Sequence, residues 1–242
     1  MYSKELLKKR FADAGLELQL LPVPIGRGDV KEIFQMTIGR NNRRKNSPES
    51  FRIWPGHKNN RVEVLSVEPK LRQLTLLVHE PARTFTTRDW RGNETTHTTP
   101  GNKRHLLCGF DERNLFIAQL PNSATTVQDA HASLKSESVA DAEKKRSGRT
   151  VRQGEWFFVE TTLEEREAIE RDSKNNIHKK VRIGAGGKPH VADEMVRLFG
   201  GTVYIRGKVR HPDHKTVHFS HWRRVIRNTE LDARPAGVAW VD

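Results

Sequence analysis

The chain has 242 residues, 35% hydrophobic and 30% charged, with a formal net charge of +13 and a pI near 10.1. Its ordered apolar runs exclude a disordered chain, and its length suffices for one large core or two small ones. The single cysteine, Cys108, excludes an internal disulfide and every zinc motif built on cysteine pairs. No stretch approaches the roughly 18 apolar residues of a membrane span, so the expectation is a soluble, cytoplasmic protein with no membrane contact.

Residues 3–15, "SKELLKKRFADAG", predict an amphipathic helix with Ser3 as N-cap, Leu6, Leu7 and Phe11 as the apolar stripe and Gly15 as the stop. "LELQLLPVPI" reads as an edge strand broken by Pro22 and Pro24, and "VKEIFQMTI" as a second strand. Residues 40–61 are rich in Asn and Pro and read as a long basic loop. Within it Trp54 and Phe51 stand among Arg52 and Lys58, with core packing favoured over base stacking. Two hairpins follow, "RVEVLSV" with "RQLTLLVHE" and "HLLCGF" with "NLFIAQL", separated by a polar loop, "TTRDWRGNETTHTTPGNKR".

Residues 121–150 turn to Ser, Ala and charge and predict a weak helix capped by Thr125 or Thr126 and a flexible basic linker. Beyond it, "GEWFFVET" reads as a buried strand. Thr162 and Glu165 form the capping-box pattern of a helix, and "PHVADEMVRLFG" reads as a second helix after the loop "GAGGK". The resulting class is α+β, two lobes of mainly antiparallel β-hairpins with a few short helices. The lobes are residues 1–120 and 151–242.

The charge is concentrated. Residues 40–61 hold seven Lys/Arg against Glu49, and residues 203–227 hold seven against Asp213, so each segment carries +6. Such patches attract polyanions. If the terminal hairpin turns through an even number of residues, Val203, Ile205 and Val209 share a core face with Trp222 and Ile226. The other face then presents Tyr204, Arg206, Lys208, Arg210, Phe219, His221 and Arg223. Cations would neutralise phosphates there, and the rings would stack bases at about 1–3 kcal/mol each. An odd-length turn dissolves the pattern.

The leading expectation is therefore a nucleic-acid-binding protein, DNA or RNA, an accessory component of a processing or ribonucleoprotein system with room for protein partners. Its contacts would be Tyr204, Arg206, Lys208, Arg210, Phe219, Arg223 and Arg224, with Arg43, Arg44, Lys45 and Lys188 as further phosphate contacts. No recognition helix, zinc finger or RNP signature is present, so base readout is not expected. One alternative is a metal-dependent phosphodiesterase with His214 as base and Asp213 as its partner. In that reading a divalent ion would be held among His211, His214, His218 and His221, with His190 able to join. Against it, His218 and His221 would point to opposite faces of the strand. A second alternative is an interaction module for an acidic protein. The leading reading requires no cofactor.

Overall fold

The computed structural model describes residues 3–22, 33–40, 48–112, 114–145, 150–184 and 188–230. It is an α+β chain dominated by antiparallel sheet, and it divides into two compact units, Met1–Ser133 with Glu230–Asp242, and Leu134–Thr229, described in turn.

The first unit opens with α1 (Lys4–Asp13), whose start is capped by Ser3 accepting from the Leu6 N–H. Then come β1 (Leu18–Leu20), β2 (Gln35–Arg40) and β3 (Glu49–Trp54), forming a sheet in which β1 runs parallel to β3. The next strands are β4 (Arg61–Glu68), β5 (Gln73–Glu80), β6 (Arg83–Arg88), β7 (Glu94–Thr99), β8 (Asn102–Asp111) and β9 (Asn114–Gln119). Of these, β4-β5-β8-β9 form one antiparallel sheet and β6-β7 a separate ribbon. The helix α2 (Val127–Ser133) closes the unit, with Thr126 Oγ1 accepting from the Asp129 N–H.

Leu7 and Phe11 of α1 pack with Phe51 and Ile53, and with Leu74, Leu76, Leu106 and Cys108 of the larger sheet, in one core. Burial pushes the Cys108 thiol pKa up, leaving it an inert core group. Glu80 and Arg104, both buried, form an ion pair, and Glu80 also accepts the Phe34 N–H at 2.7 Å.

Two expectations in this unit are corrected. The basic stretch of residues 40–61 contains β3, because Phe51 and Ile53 alternate into the core. The polar loop before "HLLCGF" is the β6–β7 hairpin. Its threonines suit strands, and Asp89 closes its turn by accepting from the Arg91 and Asn93 N–H groups at 2.8 and 2.9 Å.

The second unit comprises α3 (Glu137–Lys145), β10 (Val151–Gln153), β11 (Trp156–Glu160), α4 (Leu163–Asn176), β12 (His178–Ile183), β13 (His190–Arg197), β14 (Val203–Arg210) and β15 (Val217–Arg227). The Thr162–Glu165 capping box forms at the start of α4. The six strands make one antiparallel sheet in the order β10-β11-β15-β14-β13-β12. One face gathers Phe158, Ile183, Ala192, Met195, Ile205, Val209 and Phe219. The other receives the helices: Ile169 of α4 meets Val196 and Tyr204, and Val139 of α3 meets Phe157 and Val159. The helix expected over "PHVADEMVRLFG" is β13 instead. Period-2 burial of His190, Ala192 and the Met195 side of the strand, together with the Gly200-Gly201 turn, outweighs helix propensity.

Candidate functional site

The terminal hairpin does not build the face that an even turn predicts. Val209 stands opposite Val217, an odd-length connection, and the register shifts again between Ile205 and Gly207. Val203, Ile205 and Val209 therefore share their cluster with Phe219 and Val225, while Trp222 joins Tyr204 and Ile226 joins Phe157 on the helix side.

Both rings expected to stack bases are core residues. Phe219 is 5% exposed, with its centroid 5.2 Å from that of Phe158. Tyr204 is 3% exposed and donates its phenol O–H to Glu165 Oε1 at 3.2 Å. Burial, then the Glu165 carboxylate, push its pKa up to about 12.

The predicted phosphate contacts are mostly neutralised in place. Arg206 pairs with Glu194 at 2.7 Å and lies 4.8 Å from the Trp222 ring, and Arg223 pairs with Glu160 at 3.1 Å. Arg224 reaches Glu165 at 3.5 Å, and Lys188 pairs with Asp213 at 2.9 Å. Asp193 binds Arg210 and also accepts the Lys208 N–H at 2.9 Å, and these bonds hold its carboxyl below the usual range. Gly207, at φ +85°, makes that approach feasible, since a Cβ there would sit 2.8 Å from Asp193 Cβ. The Lys208 side chain is exposed, as are His218 and His221. Arg43, Arg44 and Lys45 lie outside the described residues.

A different cationic site stands on the same sheet. A cleft of about 410 Å³ is lined by the apolar Trp156, Ile183, Met195, Val203 and Val225, and by Arg182, Arg197 and Arg227. These three arginines are exposed, and among the described residues their side chains form no ion pair. Beside the Gly200 and Gly201 wall, Phe199 projects fully into solvent at 104% relative exposure. Reading residues 189–200 as a helix hid this turn, whose sequence signal is Gly-Gly between two alternating apolar runs.

Three histidines converge elsewhere in the unit. His190 begins β13, His211 follows β14 and His214 lies in the β14–β15 connection. One ring nitrogen from each lies within 4.8 Å of the others, and their centroids are 4.3 to 5.6 Å apart. Burial, then the facing His211 and His214, hold the His190 pKa down to about 3, so its ring is neutral. The hydrogen bond from Lys188 is the main cause holding the Asp213 carboxyl below its usual range. The structure thus unites His190 with His211 and His214, and leaves His218 and His221 out.

Comparison of the chain with protein-family models, with curated proteins and with solved structures finds no match. Among the described residues no helix is long and apolar enough to cross a membrane.

Proposed function

We propose that the second unit binds single-stranded nucleic acid in the cleft formed by Trp156, Arg182, Arg197 and Arg227. The observation that carries this is a set of three arginines, without an ion pair among the described residues, around a cleft that also exposes apolar side chains. A paired arginine must give up its carboxylate before it can take a phosphate, whereas an unpaired one exchanges only water and counterions. Lysines and arginines on an edge strand such as β12 also discourage stray strand pairing. That explanation does not reach Arg197 and Arg227, which belong to the interior strands β13 and β15.

The hollow suits an unstacked base, and Phe199 offers an exposed ring on which a second base can stack. A duplex, whose bases are already stacked, gains neither contact. Among the described residues no helix contributes to the lining of the cleft, so affinity rests on phosphates and stacking, with limited sequence preference.

Fluorescence anisotropy with labelled single-stranded DNA, single-stranded RNA and a duplex, each across a salt series, tests the reading. Expected are a preference for single strands and a log-linear loss of affinity with salt. Arg182→Gln, Arg197→Gln and Arg227→Gln should each reduce the salt slope by about 1. Phe199→Ala should cost about 1–3 kcal/mol of single-strand affinity. Absence of binding at moderate salt would overturn the proposal and leave a surface for an acidic protein.

A further inference from the structure

We infer that His190, His211 and His214 form a binding site for one late first-row divalent cation, of the class of Zn²⁺ or Co²⁺. The inference stands apart from the arginine cleft and uses different residues.

The first support is an unsatisfied polar cluster. His190 is 1% exposed, yet neither of its ring nitrogens has a hydrogen-bond partner among the described residues, and neither has His214 Nδ1. Buried polar atoms are almost always paired, and each orphan is destabilising. Each neutral imidazole has a single lone pair, so His190 and His214 can each give one nitrogen to a ligand that takes lone pairs, the other ring nitrogen of His190 keeping its proton.

The second support is the orientation of His211. Its Nε2 lies 2.7 Å from the Lys188 carbonyl oxygen, which can only accept, so Nε2 carries the proton. A backbone carbonyl holding one ring N–H is how ligating histidines are commonly fixed, with the other nitrogen free for the ion. That other nitrogen, Nδ1, now accepts the Asp213 N–H at 3.1 Å, and the ion would take the place of that amide.

The third support is Gly154, in the β10–β11 turn at φ +57°. A Cβ there would lie 2.9 Å from His214 Nε2 and 3.6 Å from His190 Nε2. The bare backbone keeps the nitrogen edge of the cluster open. Three nitrogens bound at about 2.1 Å to one ion are no more than about 4 Å apart, so loading draws the rings slightly together.

The donor set fixes the ligand class. Three imidazole nitrogens suit Zn²⁺, Co²⁺, Ni²⁺ and Cu²⁺, whereas Mg²⁺ and Ca²⁺ require oxygen donors. Three protein ligands also leave a coordination position for water.

The test uses the full chain, stripped with a chelator and titrated with Co²⁺ by visible absorption, then with Zn²⁺ against a colorimetric chelator. Expected are one ion per chain, no response to Mg²⁺, and a melting temperature raised by Zn²⁺. His214→Ala, in a half-buried connection, and His190→Gln should each weaken binding at least about tenfold, the scale of losing even an orienting partner. His218→Ala and His221→Ala, which remove exposed imidazoles from the same hairpin, should leave binding unchanged. If His190→Gln fails to fold, His214→Ala decides. Failure to bind either ion, or binding lost with His218 and His221 but kept without His214, would overturn the inference. The readouts need no nucleic acid, and oligonucleotide binding can be scored in stripped protein, so the two proposals fail separately.

Discussion

Two sets of arginines share one six-stranded sheet and are treated oppositely. Arg206, Arg210, Arg223 and Arg224 each meet a carboxylate from a neighbouring strand or from α4. Arg182, Arg197 and Arg227 meet none among the described residues and line a cleft that Arg224 also borders. The difference teaches that a run of basic sequence says little about a basic surface. Most arginines of the cation-dense hairpin are locally balanced, while Arg227 at its far end, Arg182 and Arg197 meet no carboxylate among the described residues.

Phe219→Ala should break this contrast most visibly. If the ring is core rather than a stacking platform, the variant loses about 3–5 kcal/mol of stability in denaturant titration. Oligonucleotide affinity, measured where it remains folded, should be unchanged. Glu194→Gln comes next. Removing a half-exposed partner of Arg206 should cost about 0.2–1 kcal/mol, and by freeing the guanidinium it should strengthen polyanion binding. Arg182→Gln, Arg197→Gln and Arg227→Gln should each shift stability by no more than about 0.5 kcal/mol while weakening binding, since no carboxylate is left behind.

A separate effect is in pH. Tyr204 keeps its proton to about pH 12 in the fold and loses it near 10 when unfolded. Its contribution is therefore complete below pH 10 and is lost as pH rises towards 12. Tyr204→Phe should flatten the fall in melting temperature over that window, read as the difference from the parent protein.

Much of the secondary structure was legible because its signals are local. The Thr162–Glu165 capping box, the Ser3 cap and the alternation through β4, β5, β8 and β9 rest on neighbouring residues. The β6–β7 hairpin was hidden because its faces are Thr-rich and exposed, leaving no hydrophobic alternation to read. The site was less legible for a different reason. One residue of turn length sets which face every side chain of β15 takes, and composition does not record it. The carboxylates that neutralise Arg206 and Arg210 come from β13, a strand misread as a helix. The sequence names His190, His211 and His214 among the candidate ligands, but without the strand register it cannot tell them from His218 and His221.

The strand order of the second unit also has a consequence for synthesis. In β10-β11-β15-β14-β13-β12 the strand latest in sequence, β15, lies in the interior of the sheet among the described residues. Until β15 emerges, β11 and β14 each present an unpaired edge, and they cannot seal against one another without excluding it. The nascent unit therefore waits as two open fragments for a distant segment of chain, which makes assembly slow and puts a premium on shielding those edges meanwhile. The arginine cleft, with walls drawn from β11, β12, β13, β14 and β15, comes into existence only at that final step.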